Sequence, residues 1–403
     1  MDLLCKVQNG DRSELSCLTG LAAIRPEAEP LQMKYVRAAV GMAIAAASSP
    51  YVCQAQSPQR YNIQPDSVSV SGISSGADFA HQLHVAYSSK IHGVGLLAAS
   101  PYHCAKDDLS KALQYCSKIG AEFGQPYNGP PSPDYVESLV SDTKKAFNED
   151  QIDDPAGIKT AKIYLFSGTN DTKVPQPIVK AVELFYTKLG VNSNNIKTDY
   201  DVPAGHAMVT SNYGNNCSTS DSPYINRCGL DVVGRILEQI YGPLKQPGAA
   251  SKENLKAFDQ TTFFAGDVSA QMDDHGHVYV PKACSEGTSC KLHVGLEGCL
   301  QNEDKIGDQF YTHAGYNEWA ESNNIIILYP QAKSGPGNPN ECWDWWGYTN
   351  SNYHTRRGKQ MSAVNGMIDR LLAGDLLPSA KPAALDPCLA WGWFYYSCKW
   401  LSP

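Results

Sequence analysis

The sequence predicts an α/β fold in which a mainly parallel sheet carries helices on both faces. Short apolar stretches with strand character recur along the chain, and stretches with helical spacing of apolar residues lie between them. A strand, a glycine-flanked turn and a helix follow one another directly at residues 67–87. Because strands that alternate with helices pair in parallel, these stretches belong to one sheet rather than to separate hairpins.

The individual elements follow from the same patterns. We predict strands at residues 67–71, 162–166, 197–202, 277–281, 291–296 and 324–329, and helices at 77–87, 178–189, 232–241, 306–323 and 359–372. A Pro/Gly/Ala/Ser-rich segment at 243–251 separates the two groups. It is either a linker between two domains or the junction of two halves that share one sheet, and we favour the junction.

The N-terminal region has the features of a secretory signal peptide. Lys34 and Arg37 form a basic start, residues 38–47 are apolar, and small residues follow up to Ala55. We therefore predict a signal peptide from Met33 to Ala55, preceded by an over-extended translation start. The alternative is a buried alanine-rich helix. The apolar run is too short to span a bilayer, so we expect a secreted, extracellular protein without stable membrane insertion.

Three regions follow from this division of the chain. We expect an extension with its signal peptide at 1–55, a single catalytic domain at 56–372 and a tail at 373–403. The tail is rich in Pro and Ala and ends in an aromatic segment. We interpret the tail as a disulfide-closed cover over an apolar patch, with an aromatic surface for binding a polymer as the alternative.

Composition excludes some partners and indicates an oxidising compartment. The net charge of −8 gives no electrostatic support to nucleic-acid binding. We separately expect the protein to be a monomer. Close cysteine pairs in loop-like sequence predict local disulfides: Cys104–Cys116, Cys217–Cys228, Cys284–Cys290 and Cys388–Cys398. A zinc site is the weaker alternative, because the sequence has no Cys-x-x-Cys and no histidine at ligand spacing from these pairs.

The motif Gly72-Ile73-Ser74-Ser75-Gly76 predicts a nucleophile. A serine in Gly-x-Ser-x-Gly between a strand and a helix sits on a strained turn that exposes its hydroxyl. The motif alone is also compatible with an ordinary Gly/Ser turn. The preceding strand and following helix favour the nucleophile.

A serine hydroxyl needs a base, and the base needs an acid to orient it. His206 follows the strand at 197–202, and Asp171 follows the strand at 162–166. Ser74, Asp171 and His206 stand in the chain order of α/β-hydrolases. Asp201 is a competitor for the acid, but it precedes the histidine loop too closely to reach round to the ring.

The order of two motifs predicts a circularly permuted α/β-hydrolase. Backbone N–H groups must meet the oxyanion, and Ser75 supplies one by the geometry of the turn. The candidate for the second is Gly298-Cys299, in the segment Gly298-Cys-Leu-Gln301. That segment lies far downstream of Ser74, whereas in an ordinary α/β-hydrolase it lies upstream.

At these residues the chain resembles the fungal, circularly permuted, single-domain poly(3-hydroxybutyrate) depolymerases. The matching motifs run from about residue 61 to about residue 372, and they include Ser69-Val-Ser-Gly-Ile-Ser-Ser-Gly76, Gly205-His206, His293-Val-Gly-Leu-Glu-Gly-Cys-Leu-Gln301 and Cys342-Trp-Asp-Trp345. The resemblance implies the triad Ser74, Asp171 and His206, oxyanion N–H groups from Ser75 and Cys299, and a Trp345 that lines the substrate cleft. It also implies a disulfide between Cys299 and Cys342, and neither metal nor cofactor.

Two departures from the family pattern concern the second half of the chain. Glu297 stands where the family has a histidine, and a carboxylate near a developing oxyanion opposes it by Coulomb repulsion unless it points away. The loop between Gln331 and Cys342 is shorter than in the family.

These observations predict a secreted serine esterase that hydrolyses a short-chain polyhydroxyalkanoate through an acyl-enzyme. One alternative is an esterase acting on feruloyl or acetyl groups of plant polysaccharide, which shares the triad. Another is a non-catalytic, aromatic-rich polymer-binding protein whose oxyanion site is spoiled by Glu297.

Overall fold

A large twisted sheet organises the fold in the computed structural model, which describes residues 60–380. The expected signal peptide, the extension at 1–55 and the pair Cys388–Cys398 lie outside these residues. Within the described range, eleven strands form two sheets: β1 Asn62–Ile73, β2 Gly93–Leu97, β3 Lys162–Phe166, β4 Ile196–Asp199, β5 Met208–Thr210, β6 Asn215–Asn216, β7 Ile225–Arg227, β8 Leu255–Asp259, β9 His275–Tyr279, β10 Ser289–Leu296 and β11 Ile325–Tyr329.

Helices connect most of these strands. Over residues 60–380 the α-helices are α1 Ser75–Ala86, α2 Leu109–Gln114, α3 Pro133–Asn148, α4 Gln176–Lys188, α5 Val232–Tyr241, α6 Lys282–Ser285, α7 Glu303–Ile306, α8 Gln309–His313, α9 Tyr316–Asn323 and α10 Lys359–Leu372. None of the helices in this range is both long and apolar enough to cross a membrane.

The large sheet has the strand order β4-β3-β2-β1-β10-β11-β9-β8. The pairs from β4 across to β11 are parallel, whereas β9 runs antiparallel to both β11 and β8. The first strand of the described residues, β1, therefore lies at the centre of the sheet. Strands of the first half of the chain extend to one side of it and strands of the second half to the other.

Both faces of this sheet are covered, which confirms the predicted α/β class with a mainly parallel sheet. One face packs against α1, α4 and α10, and α3 packs in turn on α4, through a cluster that includes Phe79, Val136 and Met361. The other face packs against α5, α8 and α9, through a second cluster that includes Ile236, Phe310 and Trp319. Burial of such apolar surface is the main favourable contribution to folding.

The central strand β1 shows how polar residues are accommodated in this core. Ser69 and Ser71 are fully buried. Their hydroxyls bond to the two ring nitrogens of His293 on the neighbouring strand, at 2.6 and 2.7 Å. Because each buried polar group has a partner, the strand keeps its serine alternation without leaving unpaired groups in the core.

The predicted helix at 306–323 is wrong, because three short helices replace it. The breaks fall at Gly307 and Gly315, which have φ values of 62° and 99°. Glycine adopts this left-handed region without steric cost, and an α-helix cannot continue through it. The apolar spacing continues across both turns, so it predicts one helix where the backbone turns twice.

The sequence patterns did not predict strand β2, helix α3 or the small sheet. Strand β2 reads Gly-Val-Gly-Leu-Leu and is buried throughout, so it shows no alternation. Helix α3 begins at Pro133, and its N-terminus is capped by the Ser132 hydroxyl, which accepts a hydrogen bond from the Tyr135 N–H. The small sheet of β5, β7 and β6 lies in the loop region that follows His206.

The segment at 243–251 is extended chain that runs from α5 to β8. The Gly248 N–H donates to the Glu318 carbonyl oxygen at 3.0 Å, and the Ser251 N–H donates to the Tyr279 hydroxyl at 3.1 Å. These bonds hold the connection against the sheet. All of residues 60–380 belong to one compact unit.

Candidate active site

The carboxyl ends of four parallel strands bring the candidate site together. Ser74 follows β1, Asp171 follows β3, His206 follows β4, and Gly298 follows β10. Loops at the carboxyl edge of a parallel sheet converge there whatever their separation along the chain.

Ser74 occupies a strained turn between β1 and α1. Its φ of 54° is uncommon for a residue with a side chain. The flanking glycines allow the turn, because a Cβ at Gly72 would lie 2.5 Å from backbone atoms of Gly76. A Cβ at Gly76 would lie 2.2 Å from the Glu297 carbonyl oxygen. The turn has the geometry of a nucleophile elbow, which holds the serine hydroxyl out from the sheet edge.

The structure brings Ser74, His206 and Asp171 into one hydrogen-bonded row. The Ser74 Oγ lies 2.8 Å from His206 Nε2, and His206 Nδ1 lies 2.8 Å from Asp171 Oδ2. The other carboxylate oxygen of Asp171 accepts hydrogen bonds from the backbone N–H groups of Lys173 and Val174, each at 2.9 Å. With both its oxygens bonded, the buried carboxylate is fixed in a position that orients the imidazole.

Asp201, the competitor for the acid, and three buried histidines of the core take no part in this row. Asp201 is exposed. His81, His84 and His293 are fully buried, and burial lowers the pKa of each to about 3. They are therefore neutral near pH 7 and serve the packing of the core rather than the serine.

The segment that follows β10 stands beside the nucleophile. A Cβ at Gly298 would lie 3.3 Å from the Ser74 Cβ. Over residues 60–380, neither the Ser75 N–H nor the Cys299 N–H donates a hydrogen bond to a protein acceptor. Both donors are thus available to an oxygen atom of a ligand, as an oxyanion site requires.

Gln301 holds this segment in place. The residue belongs to the Gly298-Cys-Leu-Gln301 motif, but the sequence did not indicate this role. The Gly298 N–H donates to Gln301 Oε1 at 2.8 Å, and Gln301 Nε2 donates to the Tyr224 carbonyl oxygen at 2.9 Å. The Cys299–Cys342 disulfide implied by the family resemblance is present. It ties the same segment to the tryptophan segment at 342–346.

Glu297 does not line the cleft around Ser74. Its carboxyl group is fully buried and accepts a hydrogen bond from the Ala332 N–H at 3.1 Å, while Gln331 Nε2 lies 3.4 Å from its other oxygen. Burial raises the pKa of Glu297 to about 8, so the group is mostly protonated at neutral pH. The repulsion expected from a carboxylate at this position is therefore absent.

The serine opens into a cleft of about 340 Å³. Ser74, His206, Cys299 and Trp345 all line it, which places Trp345 where the resemblance implied. The sequence patterns missed a second group of lining residues: Leu109, Leu113, Ile119, Phe123 and Trp346. Leu109 is 50% exposed and Phe123 is 67% exposed, so this apolar wall continues to the surface.

Asp344 organises the tryptophan segment. Its carboxylate accepts hydrogen bonds from the backbone N–H groups of Gly347, Tyr348 and Thr349, at 2.7, 3.1 and 2.9 Å. The backbone N–H of Trp343 donates to the Ser75 hydroxyl at 3.3 Å, and the ring centroids of Trp343 and Phe79 stack 4.6 Å apart. The wall that carries Trp345 is thereby attached to the first turn of α1.

Disulfides also stabilise the fold, and two of them hold loops near the cleft. The three pairs predicted from spacing within residues 60–380 are confirmed: Cys104–Cys116, Cys217–Cys228 and Cys284–Cys290. Cys116 lines the cleft, and Cys217 precedes the turn that carries Ser220, whose hydroxyl accepts from the His206 N–H at 2.8 Å. Such cross-links stabilise a fold mainly by restricting the unfolded chain.

Comparisons with known proteins agree with this geometry. No family model matches the chain. It is 37% identical over 350 residues to a poly(3-hydroxybutyrate) depolymerase of Delftia acidovorans, covering 85% of this chain and 67% of that protein. It is also 37% identical over 334 residues to a polyhydroxybutyrate depolymerase of Talaromyces funiculosus, covering 78% of this chain and 92% of that protein.

Two solved structures resemble the fold. One is the crystal structure of PHB depolymerase from Penicillium funiculosum, with a TM-score of 0.70 and 34% sequence identity. It is covered completely by the match, which spans 80% of this chain. The second is a serine-to-alanine variant of PHB depolymerase in complex with an R3HB trimer, and it matches with the same TM-score, identity and coverage.

Proposed function

The chain belongs to the poly(3-hydroxybutyrate) depolymerase family, and from that premise we propose that it hydrolyses ester bonds of poly(3-hydroxybutyrate) or a related short-chain polyhydroxyalkanoate. The observation that carries the proposal is the hydrogen-bonded row of Ser74, His206 and Asp171 at the mouth of an apolar cleft. A base-activated serine beside free backbone N–H groups is suited to acyl transfer.

The proposed first half-reaction forms an acyl-enzyme. His206 Nε2 takes the proton of Ser74 as Oγ attacks the ester carbonyl carbon, and the carbonyl oxygen takes up negative charge between the Ser75 and Cys299 N–H groups. The carbon–oxygen bond to the leaving chain then breaks. His206 gives its proton to that oxygen, which leaves as the hydroxyl end of the shortened polymer.

Water completes the cycle with the same residues. His206 takes a proton from the water as its oxygen attacks the acyl carbon. The bond to Ser74 Oγ breaks, the serine recovers its proton from His206, and the carboxyl end of the product is released. Asp171 remains ionised throughout and stabilises the positive imidazole that forms twice in each cycle.

The cleft supports a polyester rather than a polar substrate. Its lining includes Leu109, Leu113, Phe123, Trp345 and Trp346, and it presents more apolar than polar surface. A chain of methyl-bearing ester units buries apolar area in such a cleft, and its carbonyls need few polar partners.

The alternative of a non-catalytic binding protein depended on Glu297 facing the oxyanion site, and the bonds to Gln331 and Ala332 remove that support.

We further propose that the protein is secreted, acts as a monomer and descends from a circularly permuted chain. The four disulfides within residues 60–380 suit an extracellular compartment. The strand order supports the permutation. Strands β8–β11 come last within residues 60–380 yet complete one side of the sheet, and the oxyanion segment follows β10. In ordinary α/β-hydrolases the corresponding strand precedes the nucleophile.

The substrate is tested by comparing three assays on the wild-type protein and on Ser74→Ala. These are release of soluble hydroxybutyrate from a polyhydroxybutyrate film, release of ferulate from feruloylated xylan, and release of acetate from acetylated xylan. We expect activity on the film alone, and none from Ser74→Ala. A higher kcat/KM on either xylan would instead favour the polysaccharide esterase, and film turnover by Ser74→Ala would refute the serine mechanism.

A further inference from the structure

One buried carboxyl group of the cleft takes no part in the row of Ser74, His206 and Asp171. Asp78 lines the same cleft and is only 9% exposed. Its N–H donates to the Ser74 carbonyl oxygen at 2.9 Å, so it lies one helical turn beyond the nucleophile on α1. A buried carboxyl group costs free energy unless its polar atoms find partners.

The two carboxyl oxygens of Asp78 differ in their surroundings. Oδ1 accepts hydrogen bonds from the N–H and from the hydroxyl of Ser100, at 2.6 and 2.9 Å. Oδ2 accepts none from any group within residues 60–380, and it remains accessible from the cleft. One oxygen is therefore fixed to the loop that follows β2, while the other is open to a ligand.

Burial keeps this carboxyl group mostly protonated at neutral pH. It raises the pKa of Asp78 to about 8, although both bonds from Ser100 favour the ionised form. The N-terminus of α1 also favours a negative charge, but by less than burial opposes it. Because Oδ1 already accepts two hydrogen bonds, the proton belongs on Oδ2. The group then presents an O–H donor to the cleft instead of a negative charge.

The ionisable side chains around Asp78 have partners of their own or are neutral. Lys173 and Glu122, which line the same cleft, form an ion pair with each other, and His206 bonds within the triad. On α1, His81 is fully buried, and burial lowers its pKa to about 3. The carboxyl groups on neighbouring segments bond to backbone N–H groups instead: Glu297 after β10 and Asp344 in the tryptophan segment.

We propose that Asp78 donates a hydrogen bond from Oδ2 to a second carbonyl oxygen of the polyester, in the ester unit next to the one that Ser74 attacks. This role rests on the proposed function. The scissile carbonyl occupies the Ser75 and Cys299 N–H groups, so the Asp78 donor is left for a neighbouring unit. Adjacent carbonyl carbons of a 3-hydroxyalkanoate chain are linked through one oxygen and two carbon atoms, a spacing close to one helical turn of about 5.4 Å.

A simple alkyl ester has no second carbonyl group, so this bond distinguishes a polyester from a simple ester. It also determines which ester bond lies over Ser74, because the chain is held at two carbonyl groups one repeat apart. Asp78 is thus a substrate-binding residue that does not contact the scissile bond. Its contribution should appear with oligomeric substrates and be small with a single butyryl ester.

The pH dependence of hydrolysis tests the Asp78 donor. The kcat/KM of the wild type is measured from pH 6.5 to 9 on the R3HB trimer and on p-nitrophenyl butyrate. Ionisation of Asp78 removes the donor and sets a carboxylate against the carbonyl oxygen. The ratio of trimer to p-nitrophenyl butyrate kcat/KM should therefore fall about tenfold between pH 7 and 9. Taking the ratio cancels ionisations that act on the triad alone.

Asp78→Asn separates substrate binding from a purely structural role. Its amide oxygen can keep both bonds from Ser100, and its NH2 group can donate at every pH, so the alkaline fall in the ratio should disappear. A residue that only anchors Ser100 would give the same pH profile in the wild type and in Asp78→Asn. Asp78→Ala should lower trimer kcat/KM about tenfold at pH 7, mainly through KM, and lower p-nitrophenyl butyrate turnover less.

Glu297→Gln is the matched control for the pH profile. It removes a second buried carboxyl group whose pKa is also about 8, and it should retain the alkaline fall in the ratio. Loss of the fall in Glu297→Gln together with its persistence in Asp78→Asn would assign the effect to Glu297 and overturn the role of Asp78.

Binding without turnover separates a failure of this role from a failure of the proposed function. In a Ser74→Ala background, calorimetry measures the Kd of the R3HB trimer at pH 7 and at pH 9. We expect the Kd to rise about tenfold when Asp78 is present and to stay constant in Asp78→Asn. The same pH dependence in both proteins would refute the Asp78 bond and leave the esterase assignment intact. Absence of wild-type turnover on the film and the trimer would refute the esterase assignment, while the two Kd values still decide the role of Asp78.

Discussion

The Glu297 carboxyl group accepts a hydrogen bond from the Ala332 N–H at 3.1 Å, and this bond directs it away from Ser74. The residue that follows β10 thus serves the site through its backbone, while its side chain belongs to the buried connection after β11. A carboxyl group there is tolerated because burial favours its protonated form.

Glu297 should make the stability of the protein depend on pH. Its pKa is about 8 in the folded state against a usual value of 4.5. Below about 4.5 the group is protonated in both states. As the pH rises from there to about 8, the unfolded state releases the proton and the folded state retains it, so the free energy of unfolding falls; above about 8 the loss is complete.

Glu297→Gln therefore gains stability relative to the wild type as the pH rises from 5 to 8.5, while its kcat/KM stays within a few-fold. Urea unfolding at the two pH values measures the difference. Glu286→Gln, at an exposed glutamate, is the matched control. A variant whose stability runs parallel to that of the wild type would show that Glu297 is ionised in the folded state.

Asp171→Asn should reduce kcat on p-nitrophenyl butyrate by about 10⁴-fold, because an amide at this position favours the wrong tautomer of His206. Tm should change little, since the amide oxygen can still accept the Lys173 and Val174 N–H groups. Asp201→Asn is the control, and it should leave kcat unchanged. Equal losses in both variants would contradict the assignment of the acid.

Gln301→Ala should lower kcat by about 10- to 100-fold with little change in KM. The Gln301 side chain holds Gly298 in place by accepting a hydrogen bond from the Gly298 N–H. When that bond is removed, the neighbouring Cys299 N–H loses its position. Gln309→Ala is the comparison, because it removes a similar amide that bonds to Tyr213 and does not line the cleft. A rise in KM at unchanged kcat would show that Gln301 acts in ground-state binding instead.

Trp345→Ala should impair film hydrolysis more than turnover of p-nitrophenyl butyrate. Loss of a buried aromatic contact costs about 1.5–3 kcal/mol, which is about 10- to 100-fold in binding. A polymer fills more of the cleft than a single butyryl group, so the film assay carries most of that loss. Phe147→Ala removes an exposed aromatic on α3, outside the cleft, and should affect neither assay.

Much of the fold and of the site could be read from local patterns. The glycines around Ser74, the strand before Asp171 and the loop at His206 are each defined within a few residues, because an elbow or a strand end is a local conformation. Short cysteine spacings likewise identified three disulfides. The break of the predicted helix at Gly307 and Gly315 was missed because apolar spacing continued across both turns.

The sequence by itself determined the α/β class, the order of its halves and the three residues that meet at the sheet edge. Only the tertiary structure decided the direction of the Glu297 side chain and the position of the apolar wall at 109–123 beside the serine. The physical reason is that periodicity reports which face of an element is buried. It carries no information on which distant loop packs there, and that choice depends on the packing of the whole sheet.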